Sequence, residues 1–198
     1  MVLEKALNGL NVKIIRVGNL MGRQSDGTFQ KNFDTNAFLN TIRAIKNIKA
    51  TMPALSQEIT ELSPIDYVAK ATLELAKAPK ENTVFHAFSD KAIPLRDIIN
   101  VLNSFGFGIE EVTPEEFRKI YEKNMDENIQ GMITAELNID DFAEDNKETE
   151  DVESEVYEIV MKEQTLEILK TFGFSWPECD KEYLTRIIRH LVEVNYFD

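Results

Sequence analysis

Hydrophobic positions along the chain change their period repeatedly, and each change predicts an element. Val2, Leu3, Ala6 and Leu7 fall at helical spacing, and Gly9 stands where a left-handed cap would, so Met1 to Leu10 reads as the end of a helix. A chain that opens at a helix end raises the expectation of further polypeptide upstream. Val12 to Val17 (VKIIRV) is a β-rich run ending at Gly18, which predicts a buried or half-buried strand. Gly18 to Asp34 is polar, carries Gly22 and Gly27 as well, and predicts a long loop. Loops of that length are uncommon in compact domains and are often functional. Thr35 to Ala50 then predicts a helix with Phe38, Leu39, Ile42, Ile45 and Ile48 as its apolar stripe.

The alternation continues. Glu58 to Leu62 predicts a short strand. Ser63-Pro64-Ile65-Asp66 predicts a helix start, with Ser63 as cap, Pro64 in the first turn and Asp66 facing the positive helix end. That helix runs to about Lys77 and is stopped by Pro79. Thr83 to Phe88 predicts a strand, Pro94 to Ser104 a helix closed by Gly106, and Gly108 to Val112 a strand. Thr113-Pro114-Glu115-Glu116 opens another helix by the same capping logic. Strands alternating with helices over this span predict an α/β fold with parallel crossovers. Asp140 to Glu158 is crowded with Asp and Glu around Lys147 and reads as a solvated, mobile loop, or as a dock for a basic partner. Glu163 to Thr171 predicts a helix ended by Phe172-Gly173-Phe174; Asp180 caps a last helix whose Leu184, Ile187, Ile188 and Leu191 form a core stripe. Residues 163–198 are thus a closing helical segment on a single domain of 198 residues.

Charge narrows the partners. A net charge of -13 with no basic stripe makes nucleic acid a poor partner and disfavours an anionic membrane surface. The single cysteine, Cys179, excludes an intrachain disulfide and a thiolate zinc cluster. No apolar run is long enough for a membrane span and Met1 to Leu10 lacks the form of a signal peptide, so the expected compartment is the cytoplasm.

The chemistry is marked by what does not occur. There is no G-x-G-x-x-G after a strand, no phosphate-loop motif, no G-x-S-x-G elbow and no H-E-x-x-H. His86 and His190 read as structural residues. No tyrosine has a lysine four residues on; Tyr67 and Lys70 are three apart. Neither a catalytic residue nor a metal site is therefore expected in this chain.

Val12 to Phe29 (VKIIRVGNLMGRQSDGTF), Glu61 to Ala69 (ELSPIDYVA), Val84-Phe85-His86 and the ending LEILKTFGFSWPECDKEYLTRIIRHLVEVNYF resemble the thioester reductase domains of non-ribosomal peptide synthetases and related carboxylate-reducing enzymes. These are extended short-chain dehydrogenase/reductases. The resemblance implies a Rossmann-like fold with an incomplete sheet, helices and a small substrate-binding subdomain, this chain being its C-terminal part. It also implies hydride transfer from NADPH, in the complete domain, to an acyl or peptidyl thioester on the phosphopantetheine arm of a carrier protein, released as aldehyde or alcohol.

The family's glycine motif and its Tyr-x-x-x-Lys pair would lie in a Rossmann half before Met1. This chain alone is thus expected neither to bind NADPH tightly nor to reduce thioesters. By resemblance, Val17, Gly18, Asn19 and Leu20 would border the nicotinamide; Met21, Arg23, Phe29, Asn32 and Phe33 would line the path of the pantetheine arm or acyl chain. Two alternatives stand beside this: a non-catalytic module that docks a carrier protein, and a fragment of a sugar-nucleotide epimerase or dehydratase relative. Without upstream strands, the Val12 to Val17 edge would invite pairing with a second copy, so a homodimer is also expected.

Overall fold

The computed structural model describes residues 2–31, 33–124 and 152–198. In chain order these form α1 (Val2–Leu7), β1 (Ile14–Val17), β2 (Leu20–Met21), a 3-10 turn (Phe33–Thr35), α2 (Ala37–Ile48), β3 (Ala50–Thr51) and α3 (Pro53–Gln57). There follow β4 (Ile59–Glu61), β5 (Ser63–Pro64), α4 (Ile65–Leu75), β6 (Val84–Ala87), β7 (Ala92–Pro94), α5 (Leu95–Ser104), β8 (Glu110–Glu111) and α6 (Pro114–Asn124). The last two helices are α7 (Val152–Thr171) and α8 (Lys181–Glu193). The chain divides into two compact units, one of Met1–Ser25, Glu61–Ala92 and Thr149–Glu178, the other of Asp26–Thr60, Ile93–Glu148 and Cys179–Asp198.

In the first unit β1 and β6 run parallel, from Ile14 opposite Val84 to Val17 opposite Ala87, and β2 pairs in parallel with β5. This is the expected crossover pattern, α4 linking β5 to β6. Helices α4 and α7 pack on β6 and on each other. Their shared core holds Val68, Ala71 and Leu75 from α4, Phe85 and Ala87 from β6, Leu169 from α7, and Trp176. Phe174 stands edge-on to Trp176 at 5.2 Å and meets Tyr67 at 6.1 Å. It gets there through the turn predicted at Gly173, which sits at φ 74° while Phe174 N–H bonds back to Leu169 O at 3.0 Å and Gly173 N–H to Lys170 O at 3.0 Å. Helix α7 begins at Val152, well before the predicted Glu163. The acidic stretch is therefore helical from Val152 to Glu158 rather than a loop, and the remainder of it lies outside the described residues.

The predicted helix start at Ser63 is also revised. Ser63 and Pro64 form β5, and α4 begins at Ile65. Ser63 N–H is held by the carbonyl of Asn19 at 2.8 Å, so strand pairing competes successfully with capping. Asp66 does occupy the first turn.

In the second unit α2 is capped by Asn36, whose Oδ1 accepts from Leu39 N–H, and it ends at Lys49 in left-handed backbone (φ 56°). Its buried face contains Leu39, Ile42, Ile45 and Ile48 as predicted. It also takes in Asn40, because Asn40 Oδ1 accepts from Tyr196 Oη at 2.9 Å and from Arg43 Nη2 at 2.9 Å. Strands β3 and β8 are parallel, Ala50 opposite Glu110. Helix α5 packs against α3 and against α8, whose Tyr183, Leu184, Ile187, Ile188 and Leu191 are buried. Asp180 caps α8 as expected, Oδ1 accepting from Tyr183 N–H at 2.8 Å.

The capping box at α6 forms as the sequence predicts: Thr113 N–H and Oγ1 donate to Glu116 Oε2 at 3.2 and 3.0 Å, and Glu116 N–H donates to Thr113 Oγ1 at 3.3 Å. These bonds, the Thr113 N–H first and its hydroxyl second, hold the Glu116 carboxyl below its ordinary value; its partial desolvation opposes them. Because the folded-state value is lowered, this contribution to the helix is present above the ordinary carboxylate range and is lost as pH falls through the lowered value. In an NMR titration Glu116 should protonate at lower pH than a solvated glutamate, and Thr113→Ala should move it back upward. Identical titrations in the two proteins would refute the coupling.

Candidate functional site

Parallel neighbours β1 and β6 end on the same side of the first unit, and ligands of open α/β sheets sit outside such carboxyl ends. Strand β1 delivers Val17, Gly18 and Asn19 there, and β6 delivers Phe88 and Ser89. Val17 is exposed, Leu20 is half-buried in β2 and Met21 is fully buried. Four of the predicted residues, Val17 to Leu20, thus form one continuous turn into β2.

One carboxylate ties this region together. Glu61 Oε2 accepts from Asn19 N–H at 2.9 Å, and Glu61 O accepts from Asn19 Nδ2 at 3.2 Å. Glu61 Oε1 accepts from the Ser63 hydroxyl and from Ser89 N–H at 3.1 Å, and Ser89 N–H also reaches Ser63 Oγ at 2.9 Å. Gly18 lies close against two side chains of the chain itself. A β-carbon at position 18 would fall on Glu61 Oε2 and within 2.7 Å of Phe88 Cβ.

A second clamp holds the far end of the same loop. Asp66 Oδ1 accepts from Gln24 N–H at 3.0 Å and from Tyr67 N–H at 3.1 Å, while Gln24 Nε2 donates to Glu178 O at 3.3 Å. Lys91 pairs with Glu178 at 3.1 Å, and the hydrogen bond to that carboxylate raises the Lys91 pKa above its ordinary value. Residues 18–24 are therefore pinned at both ends by side chains of the segment Glu61 to Asp66.

The remaining predicted residues separate. Met21 and Arg23 belong to this loop, Arg23 exposed. Phe29 and Phe33 belong to the other unit, Phe29 buried and Phe33 edge-on to Tyr196 at 5.2 Å. Asn32 lies outside the described residues. Sequence motifs do not single out Glu61, Ser63 or Ser89 as site residues. A signal exists for two of them: Glu61 and Ser63 stand two apart in extended chain, so they share a face while Leu62 turns into the core at 0% exposure.

Among the described residues no group of three or more His, Cys, Asp or Glu could hold a metal ion, and no helix is long and apolar enough to cross a membrane. Lys70 Nζ lies 4.2 Å from the centroid of the Tyr67 ring, over its face, where it contributes a cation–π contact.

No family model matches the sequence. Among curated proteins, the glycine betaine reductase ATRR of Emericella nidulans is 29% identical over 116 residues, which is 57% of this chain and 9% of that protein. Among solved structures, a thiolation-reductase di-domain from an archaeal non-ribosomal peptide synthetase is 53% identical with a TM-score of 0.84, covering 100% of this chain and 39% of that one. The reductase domain of the Aureusimine biosynthetic cluster aligns at 22% identity and a TM-score of 0.70, over 98% of this chain and 48% of that one. The chain thus spans less than half the length of each of these proteins.

Proposed function

We propose that this chain, which has the fold of the C-terminal portion of a thioester reductase domain of the extended short-chain dehydrogenase/reductase type, forms the substrate side of a nicotinamide-dependent thioester reductase. The observation that carries this reading is the turn Val17 to Leu20, held at the carboxyl ends of two parallel strands by Glu61. The residues present fit the nicotinamide end of a dinucleotide and not its pyrophosphate. Asn19 is exposed, and with its Nδ2 committed to Glu61 O it has Oδ1 to offer a carboxamide. The loop after β1 carries Gly18, Gly22 and Gly27 but not the G-x-G-x-x-G spacing that cradles a pyrophosphate.

When bound, NADPH would supply the hydride. The chain's own residues then do three things. The Gly18–Asn19 turn orients the nicotinamide, the clamped loop to Gln24 forms a fixed wall with the buried Met21 behind it, and the exposed Arg23 borders the path of the acyl-pantetheine substrate. Proton donation falls to groups elsewhere in the complete domain, since no tyrosine of this chain has a lysine four residues on. The substrate class proposed is an acyl or peptidyl thioester on a carrier protein's phosphopantetheine arm.

The test is NADPH consumption with an acyl-pantetheine thioester, followed by absorbance, with aldehyde and alcohol identified by mass spectrometry. The complete domain should turn over and the 198-residue chain by itself should not. Turnover by the chain alone, or an inert complete domain, would reject the reading.

A further inference from the structure

We infer that Glu61 is the positioning residue of the nicotinamide-facing turn, an inference that rests on the function proposed above. Its two carboxylate oxygens divide the work. Oε2 holds the exit of β1 through Asn19 N–H, and Oε1 holds the exit of β6 through Ser89 N–H and the Ser63 hydroxyl. An ionised carboxylate is acceptor-only at both ends, which suits a point where three donors from three separate stretches converge. Hydrogen bonds to a charged acceptor are also the stronger kind. Gly18 is the other half of the device, because the space of its missing β-carbon is where Oε2 sits. Glu61 touches no reacting atom in this arrangement. Its carboxylate acts through Asn19 by fixing the backbone of the turn, while the main-chain carbonyl of the same residue holds Asn19 Nδ2, so that Asn19 Oδ1 is presented to the ligand.

The chemistry predicts a graded series. Glu61→Ala removes the bridge. Glu61→Asp keeps the charge but is one methylene short of spanning both exits. Glu61→Gln can keep its carbonyl on Asn19 N–H and turn its amide to Ser63 Oγ, while Ser89 N–H retains Ser63 Oγ. Of the three bonds to the carboxylate, the one to Asn19 N–H bears on the ligand, and loss of one charge-assisted bond corresponds to about tenfold in binding. In the complete domain, calorimetry should therefore give an NADPH dissociation constant about tenfold weaker for Glu61→Ala, with glutamine restoring most of the affinity. Thioester KM should stay near its unsubstituted value. In the 198-residue chain, hydrogen exchange should show Asn19 and Ser89 amides losing protection in Glu61→Ala.

A merely structural glutamate would lower the melting temperature and leave the nucleotide dissociation constant of the folded protein unchanged. That outcome, or unaltered exchange at Asn19 and Ser89, overturns the inference. If Glu61→Ala does not fold, Glu61→Asp carries the same test, and wild-type affinity in it is equally decisive. An unsubstituted complete domain that binds no nicotinamide nucleotide overturns the functional reading and this inference together, whereas intact binding with an indifferent Glu61 overturns this inference alone.

Discussion

Alanine in place of Gly27 is expected to destabilise the second unit by about 3 kcal/mol. Two independent costs meet at this position. Gly27 sits at φ 73°, where a β-carbon is strained by roughly 1–2 kcal/mol. The same β-carbon would fall on the Arg186 carbonyl and within 2.6 Å of Ile187 N. These are backbone atoms in the middle of α8, whose neighbouring side chains Tyr183, Leu184, Ile187 and Leu191 are buried, so they have little room to retreat. Overpacking of this kind adds about 1–3 kcal/mol. Urea denaturation followed by circular dichroism should show the midpoint lowered by about 1 M or more. Gly27→Asn separates the two costs, since asparagine tolerates left-handed backbone yet still carries the β-carbon. It should recover the strain cost of roughly 1–2 kcal/mol and keep the overlap cost, so its midpoint should lie between those of the alanine variant and wild type; a midpoint equal to wild type in either would show that α8 yields.

Gly18→Ala should abolish most function while costing less stability. Here the backbone lies outside the left-handed region, so overlap is the whole penalty, about 1–3 kcal/mol. Phe88 Cβ cannot rotate out of the way, being bonded directly to its main chain. Glu61 could swing aside only by abandoning Asn19, Ser63 or Ser89. The turn must shift instead, and a displacement of about 1 Å at a substrate-positioning element can cost about a hundredfold in turnover. In the complete domain the variant should fold, as judged by its melting transition, and lose NADPH affinity and thioester reduction together. Undiminished reduction with normal stability would place the turn away from the reaction cleft.

Features closed by nearby residues are legible in the amino-acid sequence alone. The Thr113–Glu116 box, the Asp180 cap and the Gly173 turn each depend on partners three to five residues away, so spacing reveals them. The parallel crossovers follow from alternating strand and helix patterns in the same way. The resemblance to thioester reductases is carried by VGNLMGR and the Trp-Pro ending, and the 53% identity to an archaeal reductase di-domain bears it out. The departures from local expectation have a common form. Ser63 looks like a helix cap because local capping is what a serine before Pro-Ile-Asp ordinarily does. In the fold it is drawn away by Asn19 and Ser89, which are remote in sequence. Asn40 stands outside the apolar stripe named for α2, and it is buried because Tyr196, from the far end of the chain, supplies its donor.

By itself, then, the amino-acid sequence determined the alternation of the main strands and helices, the caps at Thr113 and Asp180 and the kind of reductase this chain resembles, because each of these is settled by chemistry within a few residues or by a contiguous motif. Only the tertiary structure decided that Glu61 joins the exits of β1 and β6, that Gly18 is glycine to make room for that carboxylate, and that Gly27 is glycine to let α8 lie against it. Those assignments depend on which distant donors and backbones converge on one point, and no local pattern encodes such a meeting.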